Sequence, residues 1–265
     1  MLKPARSALS ACKRLIAKLR RSPAPIHPPF TAALNTLSQA PSFVIVQLGA
    51  YIGNSDNDPL FNFLTHLPSR QAPSHQAILV EPVAAFFSQL QNNYRHVPGV
   101  HLENVAISDT PGTAPFYRLG VDPVAHGYPD WLSQLSSLKD ERMHSLWEQY
   151  EADPAIQAFY LKHRITEEVP CLTFDQLAQK HALNQVDLLQ MDVEGYEFEI
   201  LKTIDFNRWN IRFINYESVL LQNNQLACET LLRDHGYLLA SYQKDTFACR
   251  PEDAPLLRSI GHSPT

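Results

Sequence analysis

Continuous apolar runs that alternate with amphipathic segments dominate the chain from residue 43 onward. The candidate strands are Phe43 to Leu48, Ala77 to Val80, Val100 to Ile107, Val186 to Met191, Ile211 to Tyr216 and Tyr237 to Tyr242. Several of these runs contain almost no polar residue, which is typical of strands that are covered on both faces. The alternation therefore predicts an α/β fold with a mostly parallel, doubly wound sheet.

Helix signals separate these strands. Asp58 and Pro59 have the residue types of an N-cap and a first helical position, and Thr173 with Gln176 has the pattern of a capping box. An apolar helical stripe follows the second strand, at Val83, Phe86, Phe87, Leu90 and Tyr94. Residues 120–165 interrupt the alternation with an aromatic-rich helical pattern. They predict a helical insertion, which either packs over a sheet edge or forms a lid over an acceptor pocket.

Charge divides the chain into a basic arm and an acidic body. Of 22 Lys and Arg residues, seven precede the first acidic residue, Asp56, so residues 1–55 carry +7 and the remainder, with 15 basic and 27 acidic groups, carries −12. Residues 1–21 have helical apolar spacing, and prolines 23, 25, 28 and 29 indicate an extended linker. This predicts an arm over residues 1–41 and a catalytic domain over residues 42–265.

Three interpretations of the basic helix stay open: a solvated or self-packed arm, a surface that contacts an anionic membrane or an acidic partner, and an organelle transit peptide. The acidic body disfavours nucleic acid as a partner, since no basic stripe runs through it. The cysteines, Cys12, Cys171, Cys228 and Cys249, show no zinc-ligand spacing. We expect free thiols in a reducing compartment, which places the protein in the cytoplasm.

The first strand runs into two glycines, Gly49 and Gly53, followed by the helix start at Asp58. In an open parallel sheet, nucleotide-like ligands bind at this position beside a helix N-terminus, although an ordinary strand-to-helix turn would give the same pattern. Glu81 ends the second strand, where a carboxylate can accept both ribose hydroxyls of an adenosine. Neither a phosphate-binding loop nor a dinucleotide fingerprint is present in the sequence, which favours a ligand with adenosine and no phosphate.

Acidic residues follow the fourth candidate strand. Asp192 stands at its tip, Glu194, Glu197 and Glu199 come next, and Glu217 ends the following strand. Carboxylates at this edge can hold an ammonium group, orient a substrate hydroxyl or accept its proton. The preference of a helix N-terminus for negative charge explains Glu197 or Glu199, but it explains Asp192 poorly.

Taken together, VQLGAYIGNSDNDP, ILVEP, NVAISD, DLLQMDVEGYEFEIL and INYES resemble the FkbM-type methyltransferases over residues 42–250. The resemblance implies a class I Rossmann-like fold, S-adenosyl-L-methionine as cofactor, and methylation of a hydroxyl oxygen on a sugar or secondary metabolite. It implies cofactor contacts from the first loop, from Glu81, from the Asn104 to Ser108 stretch and from Asp192. The first-loop residues concerned are Gln47, Gly49, Ala50 and Gly53.

The partner implied by this resemblance is a small molecule with a hydroxyl group. Asp192, Glu194 and Glu217 are our hypothesis for the groups that orient this acceptor or remove its proton. Gln47 stands where many family members have Asp, and a glutamine can hydrogen-bond an ammonium group without neutralising it. Asp56 or Asp58 could supply that charge, with N-capping as the alternative role of Asp58.

Two alternative functions stay open. A nicotinamide-dependent oxidoreductase would share the sheet, but the sequence lacks both its glycine fingerprint and a tyrosine four residues before a lysine. A binding module could retain the fold without the chemistry. We predict no metal ligands, although clustered carboxylates could bind magnesium and assist a catechol-type mechanism.

Overall fold

The fold is described from a computed structural model that covers residues 27–55, 58, 60–67, 75–139 and 153–260. The predicted basic helix over residues 1–21, Asp56 and Pro59 lie outside the described residues. Among the described residues, no helix is both long and apolar enough to cross a membrane.

A seven-stranded, mostly parallel sheet forms the centre of the molecule, which confirms the predicted α/β fold. Its strands are β1 (Phe43–Leu48), β2 (His75–Val80), β3 (Val100–Glu103), β8 (Gln185–Met191), β9 (Asn210–Glu217), β10 (Leu238–Tyr242) and β11 (Asp245–Cys249). They are ordered β10-β11-β9-β8-β1-β2-β3. The contacts among β3, β2, β1, β8 and β9 are parallel, whereas β11 is antiparallel to both of its neighbours. The carboxyl ends of β1, β2, β8 and β9 therefore meet at one edge.

Both faces of the centre of this sheet are buried, because the strands β1, β2, β8 and β9 carry apolar residues at odd and even positions. Val46 and Leu48 of β1 belong to one core cluster, and Phe43 and Ile45 belong to the cluster on the opposite face. The helices that cover the two faces are α1 (Pro28–Gln39), α2 (Phe61–Thr65), α3 (Ala84–Tyr94), α5 (Phe174–Lys180), α6 (Glu197–Leu201) and α7 (Gln225–Asp234). Helix α4 (Pro154–His163) packs in a separate cluster with Leu119 and Leu132. The predicted capping box of Thr173 and Gln176 is present at the start of α5.

Helix α1 corrects the predicted linker. Pro28 and Pro29 open this helix rather than an extended segment, since proline suits the first turn, where its missing N–H has no partner to lose. Phe30, Ala33 and Leu37 are almost completely buried in the core. The described part of the predicted arm is thus packed against the sheet.

A second, four-stranded sheet stands beside the first, with the order β4-β7-β5-β6. Its strands are β4 (Ala106–Ile107), β5 (Gly112–Leu119), β6 (Ser136–Ser137) and β7 (Arg164–Leu172). The single strand predicted over Val100 to Ile107 is wrong, because the chain leaves β3 at Asn104 and enters the second sheet at Ala106. Strands β5, β7 and β11 were not predicted from the sequence, because their partly exposed or short patterns lack a continuous apolar run.

Short 3-10 helices complete the chain, at Val124–His126, Asp130–Gln134, Val219–Asn224 and Pro251–Ile260. Two of these, with β6 and α4, form the described part of residues 120–165, and β7 begins within that segment at Arg164. The hydroxyls of Tyr51 and Ser133 lie 3.0 Å apart, which ties this segment to the loop after β1.

Candidate active site

A cleft opens at the carboxyl ends of β1, β2 and β8, between the main sheet and the second sheet. The main sheet and its loops contribute Leu48, Gly49, Tyr51, Val80, Glu81, Pro82, Asp192, Val193, Glu194 and Tyr196. The second sheet and the segment before α4 contribute Val105, Ala106, Ile107, Phe116, Gln134, Ser136 and Leu138. The cleft therefore has an apolar wall on one side and carboxylates on the other.

Gly49 brings the tip of β1 against the tip of β8. Its φ is +79°, and a Cβ at this position would lie 1.8 Å from the carbonyl oxygen of Asp192. The N–H of Asp192 in turn donates to the carbonyl of Leu48, at 3.0 Å. Gly49 lines the cleft as predicted, and the close approach of two backbone segments is sufficient to require glycine there.

The other loop residues predicted to contact a cofactor lie behind the cleft wall. Gly53, also at positive φ, packs against Tyr94 and Leu90, so that a Cβ would lie 2.5 Å from the Tyr94 ring. Ala50 is buried, and its N–H donates to Val80. Neither residue lines the cleft, which leaves Gly49 and Tyr51 as the loop residues that do.

Gln47 is buried, and its amide Nε2 donates to Asp58 Oδ2 at 3.2 Å. Asp58 Oδ1 accepts the N–H groups of Leu60 and Phe61, both at 2.7 Å. Asp58 thus binds backbone N–H groups at the start of the helix, but the predicted N-cap position is wrong, because the helix begins at Phe61 and Leu60 is its N-cap. Because the Asp58 carboxylate takes these N–H groups, they are not directed at a ligand as the sequence suggested. Burial raises the pKa of Asp58 to about 6.

Glu81 lines the cleft at the tip of β2 and is 5% exposed. Its Oε2 accepts the N–H of Tyr51 at 2.9 Å, and its Oε1 accepts the N–H of Val83 at 2.8 Å. Each carboxylate oxygen has a further lone pair, so both can still accept a hydrogen bond from a diol. Burial is the main reason that the pKa of Glu81 rises to about 7.

The predicted adenine-binding stretch divides into lining and supporting residues. Val105, Ala106 and Ile107 line the cleft. Asn104 instead donates its Nδ2 to the carbonyls of Glu81 and Pro82, at 2.8 and 3.0 Å. Ser108 donates its hydroxyl to the carbonyl of Thr110. Asn104 and Ser108 therefore hold the loop in place, while the apolar residues between them face the cleft.

Three acidic side chains converge as the sequence predicted. One carboxylate oxygen from each of Asp192, Glu194 and Glu217 lies within 4.8 Å of the others. Asp192 and Glu194 line the cleft, whereas Glu217, 9% exposed, lies behind them at the end of β9. Glu194 has a φ of +53° and precedes Gly195 at +80°, so the turn after β8 holds a non-glycine residue in the left-handed region. Backbone strain of this kind costs about 1–3 kcal/mol and is frequent at functional sites.

The electrostatics of this cluster favour retention of a proton. Burial and the charges of Asp192 and Glu194 raise the pKa of Glu217 well above its ordinary value. Lys244 lies 3.7 Å from Glu217 and opposes this shift. Carboxyl groups whose pKa values are pushed apart can divide the roles of acid and base between them.

The sequence interpretation missed Asp245. This residue begins β11 and stands directly opposite Glu217 in the antiparallel register. Burial, followed by the charge of Asp192, raises the pKa of Asp245 to about 7. The signal that could have found it is an acid that directly precedes the short apolar run TFAC.

Glu197 and Glu199, the acids that the charge preference of a helix N-terminus could explain, both make contacts within the protein. Glu197 is fully buried and accepts the N–H of Val193 at 3.1 Å, so it closes the turn that carries Glu194. Glu199 pairs with Lys139 and Lys202. Lys139 also lies over the ring of Tyr196, whose hydroxyl donates to Asp109 at 2.7 Å. These contacts fix the outer rim of the cleft.

Comparison with known proteins confirms the family predicted from the motifs. The family model described as the methyltransferase FkbM domain matches residues 47–239. "Methyltransferase 1" of Beauveria bassiana is 23% identical over 179 residues, which are 66% of this chain and 68% of that protein.

Solved structures with a similar arrangement include a precorrin-6y C5,15-methyltransferase from Geobacter metallireducens. It has 12% identity and a TM-score of 0.41, with 83% of this chain and 86% of that chain covered. An O-methyltransferase from Bacillus cereus in complex with SAH has 9% identity and a TM-score of 0.40, with 94% of each chain covered.

Proposed function

Because this chain belongs to the FkbM methyltransferase family, we propose that it transfers the methyl group of S-adenosyl-L-methionine to a hydroxyl oxygen of a small-molecule acceptor. A sugar or a secondary metabolite is the acceptor class that we expect. The observation that carries this proposal is the convergence of Asp192, Glu194 and Glu217 beside a cleft at the carboxyl ends of β1 and β8.

Buried thiols at Cys171, Cys228 and Cys249 support a reducing, cytoplasmic compartment.

The chemistry of the cleft fits this cofactor. Val105, Ile107 and Phe116 offer an apolar surface for the adenine, and Glu81 has acceptor lone pairs for the ribose hydroxyls. Gly49 and Asp192 stand at the adjoining strand tips, where they would hold the methionine portion. The bound cofactor supplies an electrophilic methyl group on a sulfonium, a good leaving group.

The residues of the chain then have to place the acceptor oxygen and remove its proton. Asp192 and Glu194 line the cleft, so either carboxylate can hydrogen-bond the acceptor hydroxyl and take its proton as the new oxygen–carbon bond forms. Glu217, whose pKa is raised well above its ordinary value by burial and by these charges, supports them from behind. Ser136 and Leu138 line the opposite wall, which gives the described part of residues 120–165 a role in shaping the acceptor pocket.

The test begins with discovery of the acceptor. The full chain is incubated with isotopically labelled S-adenosylmethionine and a small-molecule extract of its producing organism, and labelled products are identified by mass spectrometry. An O-methylated product supports the proposal. Cofactor binding without a labelled product would favour a binding module, and binding of a nicotinamide dinucleotide in place of S-adenosylmethionine would favour an oxidoreductase.

Variants then test the carboxylates on the identified acceptor. Asp192→Asn and Glu194→Gln retain side-chain shape but cannot accept a proton, so we expect kcat to fall about 10²- to 10⁴-fold for the residue that acts as base. Glu168→Gln, on the exposed surface of β7, is the matched control and should retain wild-type turnover. Wild-type turnover in both Asp192→Asn and Glu194→Gln would refute the assignment.

A further inference from the structure

Tyr51 contacts both walls of the cleft. Residues 130–138, which we call the wall segment, form part of the wall opposite the main sheet. We propose that Tyr51 is a positioning residue that couples Glu81 to the wall segment, so that binding of the cofactor orders the wall of the acceptor pocket. This inference rests on the proposed function, since it takes Glu81 as the acceptor of the ribose hydroxyls.

The backbone and the side chain of Tyr51 bind opposite sides of the cleft. Its N–H donates to Glu81 Oε2 at 2.9 Å, and its hydroxyl lies 3.0 Å from Ser133 Oγ. Ser133 donates its own proton to the carbonyl of Asp130 at 2.5 Å, so the Tyr51 hydroxyl is the donor to Ser133. Burial raises the pKa of Tyr51, and the hydroxyl therefore keeps this proton at neutral pH.

The conformation of Tyr51 is imposed by its neighbours. Its φ is +49°, in the left-handed region that disfavours residues other than glycine. The residues on either side are anchored: the N–H of Ala50 donates to the last carbonyl of β2 at 2.9 Å, and the carbonyl of Ile52 accepts Asn93 Nδ2 at 2.8 Å. The ring lies edge-on to Phe86, with 4.6 Å between the ring centroids. The Tyr51 hydroxyl is thus held at a fixed position for Ser133.

A second hydrogen bond ties the other end of the wall segment to the main sheet. Ser137 donates its hydroxyl to the carbonyl of Glu194 at 3.4 Å. Among the described residues that line the cleft, Tyr51 and Glu194 are the non-glycine residues at positive φ. Both of these strained residues contact the wall segment, and Gln134 and Ser136 line the cleft between the two contacts. Strain of this kind is frequent at functional sites.

These contacts connect the cofactor site with the acceptor pocket. A ribose diol bound to Glu81 would restrict the carboxylate that holds Tyr51, and Tyr51 in turn holds Ser133. A ligand that orders one part of such a connected set favours order in the rest, and coupled sites typically change each other's equilibria about 5- to 150-fold. We therefore expect the cofactor to reduce local opening of the wall segment.

The experiment measures amide hydrogen exchange of the full chain by mass spectrometry, with and without saturating S-adenosylhomocysteine. This probe carries the ribose of the cofactor but has no methyl group to transfer. In the wild type, it should slow exchange in peptides that cover residues 130–138 at least about fivefold. Tyr51→Phe and Ser133→Ala should each lose most of this slowing. Both should still bind the probe in calorimetry, because the ring and the N–H of residue 51 and the carboxylate of Glu81 remain.

Tyr237→Phe is the matched control. The Tyr237 hydroxyl is buried and donates to the carbonyl of Ile211 at 2.6 Å, at the amino end of β9 and therefore at the edge of the sheet opposite the cleft. This variant loses a hydroxyl hydrogen bond as Tyr51→Phe does, but it should keep the slowing that the wild type shows. If Tyr51→Phe fails to fold, Ser133→Ala, at a partly exposed position, carries the test.

Probe binding without slower exchange in the wild type would overturn the coupling and leave the proposed function intact. Slowing that persists unchanged in Tyr51→Phe and Ser133→Ala would do the same. Equal loss of slowing in Tyr237→Phe would show a general effect of lower stability and would also overturn the role of Tyr51. Absence of probe binding to the wild type would instead contradict the proposed function itself.

Discussion

Replacement of Gly49 by alanine tests whether the loop after β1 is constrained by the protein itself or by its ligand. At φ +79° an L-residue other than glycine costs about 1–2 kcal/mol. The added Cβ would also lie 1.8 Å from Asp192 O and 2.8 Å from Asp192 C, which are backbone atoms that cannot rotate away. Relief needs a displacement of more than 1 Å at the tips of β1 and β8, and such overpacking costs about 1–3 kcal/mol or more.

Gly127 provides the matched control. Its φ is +80°, but a Cβ there would meet nothing within 4 Å, so Gly127→Ala should show the conformational cost alone. We therefore expect Gly49→Ala to lose about 2–5 kcal/mol of unfolding free energy, and Gly127→Ala about 1–2 kcal/mol.

The assay is urea unfolding of the cofactor-free protein, followed by calorimetry with S-adenosylmethionine. If Gly49→Ala matched Gly127→Ala in stability and lost only cofactor affinity, the ligand would be the reason for the glycine and the backbone argument would be refuted.

Three further predictions follow from burial and charge. Phe30→Ala should lower the free energy of unfolding by about 3–5 kcal/mol, because Phe30 is 1% exposed in the core. The control Leu226→Ala, at a position 71% exposed, should change this free energy by less than about 0.5 kcal/mol. Equal effects of the two variants in chemical denaturation would show that α1 does not pack on the sheet. The free energy of unfolding should fall as pH rises from about 4.5 towards 7, because the folded-state pKa of Glu81 is raised to about 7 and the unfolded chain then holds fewer protons than the folded one. Glu81→Gln should reduce the slope of this free energy against pH. An equally steep slope in the variant would contradict the assignment to Glu81. Tyr51→Phe should lower the free energy of unfolding by about 0.5–1.5 kcal/mol, because it removes the hydroxyl that contacts Ser133. If the loss in the double variant Tyr51→Phe, Ser133→Ala equals the sum of the two single losses, the two hydroxyls do not stabilise each other.

The sequence alone determined the parallel centre of the sheet, the family and the positions of the principal acids. Short continuous apolar runs such as FVIVQL and VDLLQM indicate strands that are buried on both faces of a sheet. The residues that follow such a strand in a parallel sheet lie at the carboxyl edge of that sheet. Asp192, Glu194 and Glu217 could therefore be placed together before their distances were known. Glu81 could be placed at the neighbouring strand tip by the same reasoning.

Only the tertiary structure decided what each residue contacts. Gly53, Ala50, Asn104 and Ser108 have sequence positions that suit ligand contact, but they pack or hydrogen-bond within the protein, because nothing in a local pattern says which side of a loop faces the cleft. The role of Asp245 depended on the antiparallel pairing of β11 with β9, a contact between residues far apart in the chain. Local periodicity specifies elements, whereas the register between strands specifies which carboxyl groups meet.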